Sequence, residues 1–324
     1  MDDRILYLSA GDIAALGLGA AQAEVAVTQA FRAKADGDSW LIPKASIPIA
    51  GGDVVQALVG ALRAPPVSGV KWLSVRAGNG ARGLPNIHGL IVLSDLETGQ
   101  TRAMMDAGWI TATRTAACTG IAARHLARAG SRRAGFVGAG LQARSNLDAL
   151  RLVLPDLAEV TVFGRSAGSL DSFSAHAAAA GLVVHHAATA EQAVRGMDVV
   201  VTSVPPATGL KPFLDPRWLA PGSFLSAVDL GRTWDGAQWD GAFDLVATDD
   251  AGQSREIAAQ GKLVSAGPYH AEIGDLVTGR HPGRQSDSQR TCLLFAGIAL
   301  ADLALASEVA TRARAAGLGT LLAP

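Results

Sequence analysis

The segment Arg133-Ala134-Gly135-Phe136-Val137-Gly138-Ala139-Gly140-Leu141-Gln142-Ala143 carries the strongest local signal in the chain. Its first five residues form a short apolar run, as a buried strand requires. In the following stretch, 141–154, Leu147, Leu150 and Leu154 share one helical face. Between the two stands G-x-G-x-x-A. Gly138 permits a tight turn, Gly140 lets the backbone approach a pyrophosphate, and Ala143 keeps the helix close to the strand. A diphosphate at this turn meets free N–H groups and the positive end of the helix dipole. Two glycines alone read as a turn. With a strand before and a helix after, Gly138, Ala139, Gly140, Leu141, Gln142 and Ala143 read as a dinucleotide cradle.

Downstream, strand and helix signals alternate. Strand-like runs at 159–163, 182–185, 198–204, 223–228 and 245–248 are separated by helical patterns at 167–180 and 190–196. Such alternation predicts a doubly wound parallel sheet with helices on both faces. The strand at 159–163 ends in Gly164-Arg165-Ser166. An NAD-preferring site places Asp or Glu here to accept from the ribose hydroxyls. A guanidinium instead attracts a 2′-phosphate and bonds it in two places, so Arg165 favours NADP(H), with NAD(H) as the other candidate.

Upstream of Gly130 the texture differs. Residues 10–36 read as helical, and 46–49, 54–58, 69–75 and 90–93 as short strands of a mostly antiparallel sheet between Gly/Pro-rich turns. A helix is expected over 106–129, and a last Ala/Leu-rich helix over 290–316. The latter is too long for a crossover and is expected to return to the first domain. The predicted fold is therefore α/β.

The composition narrows the function classes. The 324 residues are 49% hydrophobic and 18% charged, which supports a sizeable core and excludes disorder. With 28 basic against 29 acidic residues the formal charge is −1, which argues against a nucleic-acid binder or a polybasic membrane protein. Cys118 and Cys292 stand apart from each other, so neither zinc-ligand spacing nor a disulfide framework is present, and a reducing cytoplasm is expected. The start, MDDRILYLSAGDIAAL, lacks the apolar core of a signal peptide, and no apolar run is long enough to span a bilayer. His270 and His281 lie in predicted loops without paired ligands, so no metal is expected.

Several segments together resemble the ornithine cyclodeaminase/mu-crystallin family. They are Gly69-Val70-Lys71-Trp72, residues 83–93 from Gly83-Leu84-Pro85, residues 96–99, residues 105–117 including Arg114-Thr115-Ala116-Ala117, the glycine turn 138–143, Glu272-Ile273-Gly274-Asp275-Leu276, and residues 297–302. They run in the family's order over nearly the whole chain. The resemblance implies a Rossmann domain over 116–302 inserted into a mixed α+β substrate-binding and dimerising domain built from both chain ends, 1–115 and 303–324, together with a homodimer and a small amino-acid or imino-acid substrate. It also implies roles for single residues. Lys71 matches a substrate-site lysine, Arg114 an arginine that binds the substrate carboxylate, and Asp229 an acid near the nicotinamide and the substrate nitrogen. Gly164, Arg165, Ser166, Ser203, Val204 and Asp229 complete the expected nucleotide contacts.

The residue chemistry agrees with these roles. Asp229 ends the 223–228 strand, and strand carboxyl ends face the crevice of a doubly wound sheet. Lys71 lies between Val70 and Trp72, where desolvation lowers its pKa and suits it to acid–base work. Arg114 offers a two-pronged bond to a carboxylate. Lys44, after Pro43, stands where the family has an arginine and supplies a point charge without a fork. His88 is a candidate pocket contact. Cyclodeaminases carry a glutamate between the Lys44 and Lys71 positions. Residues 45–70 hold only Asp53 as an acid, and Gln56 stands near the glutamate's place. The expected activity is therefore reduction of a small 2-imino acid, or oxidation of the matching L-amino acid, by hydride transfer at C2. An ornithine-type cyclodeaminase releasing ammonia, and a non-catalytic NADPH-binding protein, are the alternatives.

Overall fold

A computed structural model describes residues 3–207 and 209–323. The chain divides into two compact units. The first runs up to Arg114 and resumes at Ile298, and the second is Thr115–Gly297.

The first unit opens with β1 (Ile5–Leu8), α1 (Ala10–Ala15) and α2 (Ala20–Ala35). The helical signal over 10–36 is thus two helices. Gly17, at φ +61°, ends the first turn of chain and Gly19 begins the second helix. There follow β2 (Ser39–Leu41), β3 (Ala45–Pro48), β4 (Val54–Leu62), β5 (Val67–Val75), β6 (Ile87–Asp95) and β7 (Thr101–Asp106), then α3 (Gly108–Leu126), which continues into the second unit. The Asp106 carboxylate accepts from the Gly108 N–H at 2.7 Å and so starts α3.

The second unit contains β8 (Arg133–Val137), α4 (Leu141–Val153), β9 (Glu159–Phe163), α5 (Ala167–Ala179), β10 (Val183–His186), α6 (Ala190–Val194) and β11 (Val199–Thr202). It continues through β12 (Phe224–Ala227), β13 (Leu245–Thr248), α7 (Ala251–Ala259), β14 (Ala271–Glu272), α8 (Ile273–Thr278) and β15 (Thr291–Leu294). The chain then re-enters the first unit as α9 (Ala299–Ala316) and β16 (Thr320–Leu322).

The sheet of the second unit has the order β10-β9-β8-β11-β12-β15-β13-β14 and is parallel throughout. Every residue of β11, β12, β13 and β15 is buried, as both-face coverage by helices demands. The strand order reverses between β8 and β11, which places the topological switch at the ends of those two strands. The doubly wound parallel sheet expected from the alternation is present.

The sheet of the first unit has the order β16-β1-β7-β6-β5-β4-β2, with β3 also paired to β4. It is antiparallel except for the parallel pair β1/β7. Its inner face is covered by α9, all of whose first eight residues are buried. Close approach depends on Gly60 and Gly69, which pair across β4 and β5. A Cβ on Gly60 would stand 3.1 Å from Ala299 Cβ. One on Gly69 would stand 2.3 Å from the Val92 carbonyl and 3.0 Å from Leu303 Cδ2.

Two sequence expectations change here. The helix expected over 290–316 is a strand, β15, followed by α9, with Gly297 at φ +86° between them. A fully buried strand has no polar alternation, so Thr291-Cys292-Leu293-Leu294 carries no signal that separates it from a buried helix. The return to the first unit falls at Ile298 rather than at residue 303, because α9 packs on the first sheet from its first residue. Among the described residues no helix is long and apolar enough to cross a membrane.

Candidate functional site

Strand alternation builds a buried charged cluster in the first unit. Lys71 in β5 pairs with Leu58 on one side and Ile91 on the other, Ile91 pairs with Met105, and Met105 with Leu8. The row is buried and apolar except for Lys71, which has no exposed surface. An ammonium in such a row needs a partner. Asp302, in the first turn of α9 and equally buried, supplies it: Lys71 Nζ donates to Asp302 Oδ1 at 2.6 Å. Arg114 Nε from α3 donates to the same oxygen at 2.8 Å. Asp302 Oδ2 accepts from no donor among the described residues.

Burial is the main reason that the Lys71 pKa falls to about 7; the Arg114 and Lys44 charges push it the same way, and Asp302 opposes them. Lys44 stands just before β3. By alternation, Ser46 and Gln56, which pair across β3 and β4, share the Lys71 face. Gln56 Nε2 donates to Ser46 Oγ at 3.0 Å. Two basic side chains on one carboxylate, with Lys44 nearby, leave the cluster positive and suited to an anion such as a carboxylate.

His88 is not brought there. It pairs with Ser74, three residues from Lys71 along β5, and so stands on the opposite face of the sheet, exposed. The sequence offers it as a pocket contact, but the two-residue period of β6 turns it away from Lys71.

The second unit presents the glycine turn as read. Gly138, at φ +101°, leaves β8, and a Cβ there would stand 3.0 Å from Ser203 Oγ. Gly140 precedes α4 with φ −80°, and an added Cβ would meet nothing within 4 Å. Ala143 is fully buried. The first N–H groups of α4, including those of Leu141, Gln142 and Ala143, have no intrahelical acceptors. Ser203, just after β11, donates its N–H to the Val137 carbonyl at 2.9 Å, and its buried hydroxyl has no partner among the described residues. Ala139 lies beside Gly164, 3.4 Å from the position of a Cβ there. Arg165 and Ser166 follow, exposed, and the Ser166 side chain caps α5. This open, glycine-lined turn at a helix N-terminus and a sheet switch point fits a dinucleotide diphosphate.

Asp229, after β12, is buried and heavily bonded. Its Oδ1 accepts from Thr202 Oγ1 at 2.9 Å and from the Gly231 N–H at 3.2 Å, and its Oδ2 accepts from Thr233 Oγ1 at 2.9 Å. Burial raises its pKa, against the lowering effect of the Thr202 and Thr233 bonds and of Arg232. It brackets an unusual turn: Leu230 has φ +63°, and Gly231 has φ +67° where a Cβ would strike Val264 Cγ1 at 2.3 Å. Arg232 Nη1 reaches the Val204 carbonyl at 3.5 Å.

Asp302 is the site residue that sequence reasoning missed. It lay within the family-like segment 297–302, and its signal was a lone acid in an otherwise apolar run, Ala299-Leu300-Ala301-Asp302-Leu303-Ala304.

Fold and sites define a two-unit α/β protein in which a Rossmann-type unit interrupts a mixed-sheet unit carrying a buried cationic cluster. A family model, the ornithine cyclodeaminase/mu-crystallin family, matches residues 8–317, and the chain belongs to that family. It is 32% identical over 314 residues to an alanine dehydrogenase of Archaeoglobus fulgidus, covering 91% of each chain. It is 27% identical to a Delta(1)-pyrroline-2-carboxylate reductase of Bacillus thuringiensis, covering 78% of this chain and 79% of the other. Among solved structures it resembles an archaeal alanine dehydrogenase dimer with bound NAD, at a TM-score of 0.84 and 28% identity over 99% of both chains.

Proposed function

We infer that the protein is an NAD(P)-dependent oxidoreductase that reduces a small 2-imino acid, or oxidises the matching L-amino acid, by hydride transfer at C2. The observation that carries this reading is the buried meeting of Lys71 and Arg114 on Asp302. A scaffold that only binds nucleotide has no use for two desolvated cations in its other unit. The relatives that are alanine dehydrogenases and pyrroline-2-carboxylate reductases support it.

When bound, the nicotinamide supplies or takes the hydride. The chain's own groups do the rest. The Arg114 guanidinium clamps the substrate carboxylate, and Lys44 adds a second positive charge. Lys71, with a pKa of about 7, gives a proton to the substrate nitrogen side in reduction and takes it back in oxidation. Asp229 is assigned the iminium or amine, within the limits its three hydrogen bonds set. NADP(H) is favoured over NAD(H), because Arg165 rather than an acid follows β9.

The cyclodeaminase alternative needs an anion for a distal ammonium. On the Lys71 face the position in question holds the neutral pair Gln56–Ser46. Asp53 instead accepts from the Ala77 N–H at 2.9 Å and faces Arg76. A homodimer is also proposed. The face of the first sheet away from Lys71 exposes Trp40 (49%), Ile47 (58%), Val59 (41%) and Trp72 (51%), an apolar patch that a second copy would cover. The archaeal alanine dehydrogenase of similar structure is a dimer.

The test is a screen of 2-oxo acids with ammonia or methylamine, cyclic imines, and L-amino acids, against both nucleotides. Net consumption or formation of reduced nicotinamide with one of these supports the reading. Ammonia release without net change in nicotinamide absorbance identifies a cyclodeaminase. No turnover with any of them leaves a nucleotide binder.

A further inference from the structure

The two cations of the substrate-side cluster come from different elements, β5 and α3, and they meet on one atom of a third. That atom, Asp302 Oδ1, belongs to the only acid in the wholly buried run 299–306 of α9. The helix itself is seated by contact with Gly60 and Gly69, one of them two positions from Lys71 and on its face. A carboxylate with no exposed surface is costly unless it is paired and hydrogen-bonded, and here both partners are charged. Its place in the first turn of α9 also favours negative charge.

We propose that Asp302 is the positioning residue of this site: it ties Lys71 and Arg114 to one point on α9 and offsets one of their two charges, without itself meeting the substrate. The inference rests on the reading of Lys71 and Arg114 as substrate contacts. The charged groups acting on Lys71 are Arg114 from α3, Asp302 from α9 and Lys44 ahead of β3; its strand neighbours Leu58 and Ile91 are apolar. Of the three, only Asp302 favours the ammonium form. Without it, Lys71 would sit as a neutral amine beside two cations at neutral pH, unable to donate a proton.

The chain has five lysines (Lys34, Lys44, Lys71, Lys211 and Lys262), few enough for isotope-labelled lysine side chains to be resolved by NMR and assigned with Lys71→Arg. Lys71 in the wild-type chain is expected to titrate at about 7. In Asp302→Asn its midpoint should fall by about 1–2 units, and the pH profile of reductive kcat/KM should move down with it. In Asp302→Glu, which keeps the charge, the midpoint should stay within about half a unit of wild type while KM for the carboxylate substrate rises. An unchanged or higher midpoint in Asp302→Asn overturns the proposal. If that variant does not fold, Asp302→Glu decides, and a fall of about 1–2 units there overturns it. The titration needs no substrate. A chain that turns nothing over, yet shows the Asp302-dependent midpoint, would refute the proposed reaction and leave the coupling intact.

Discussion

Lys71 and Asp302 lie 231 positions apart in sequence and 2.6 Å apart in space, and neither reaches solvent. A strand near the start of the chain and a helix near its end therefore share one charge pair in the first unit. Arg114 joins it from the helix at which the chain leaves that unit. The cluster depends on three separate parts of the sequence folding together, and substitutions in it test fold and function at once.

Arg114→Ala removes the guanidinium that is assigned to the substrate carboxylate. Truncating one member of a desolvated charge pair costs ~2–5 kcal/mol, a loss of roughly 30-fold to several-thousand-fold in kcat/KM, expressed mainly in KM. Arg114→Lys should recover only part of it, because an ammonium lacks the fork. Steady-state kinetics on the substrate found in the screen provides the check, and near-normal kcat/KM in the alanine variant would rule out the clamp.

The depressed Lys71 pKa has two consequences with defined signs. In reduction the ammonium form is active, so kcat/KM should fall about tenfold per pH unit above about pH 7, and the limb should be absent in Lys71→Met. For stability, the unfolded chain holds the proton up to the ordinary value of 10.5, whereas the folded chain releases it at about 7. Between those values the unfolded state binds more protons, so this group makes stability rise with pH across that window and contributes no slope below it. Lys71→Met leaves Asp302 paired with Arg114 and should fold. Denaturant unfolding at about pH 7 and about pH 9 should show the rise in wild type and its absence in the variant. Parallel pH dependence in the two proteins would contradict the shift.

What could be read from the sequence follows how local each signal was. The turn at Gly138 and Gly140 was legible because strand, turn and helix are contiguous, and the structure keeps all three in register. That Lys71 and Arg114 are partners was not legible. Their common acceptor lies in α9, and no periodicity links β5 to a helix 231 positions on. His88 was misplaced for a related reason. Which face of β6 it occupies is fixed by pairing with β5, a tertiary fact. Thr291-Cys292-Leu293-Leu294 was merged with α9 because complete burial erases the alternation that marks a strand.

Arg165 follows β9 where an acid would accept the ribose hydroxyls of NAD, and it is exposed. Arg165→Ala should lower kcat/KM for NADPH by about tenfold or more, the worth of a charge-assisted bond, and change NADH little. Equal loss with both nucleotides, or none with either, would end the preference for NADP(H).

Gly138 and Gly140 separate fold from binding within one turn. Gly138 has φ +101°, and a Cβ there would press on Ser203 at 3.0–3.1 Å, so Gly138→Ala should cost ~1–3 kcal/mol of stability and lower Tm. Gly140 has φ −80°, open to any residue, and an added Cβ meets no atom within 4 Å. Gly140→Ala should therefore leave Tm close to wild type. Yet the same methyl would occupy the space through which a diphosphate approaches the first N–H groups of α4, so nucleotide Kd should rise by about tenfold or more. Thermal unfolding and nucleotide titration of both variants give the comparison. If Gly140→Ala binds both nucleotides as wild type does, the diphosphate does not lie on this turn, and the open space beside Gly140 has some other use.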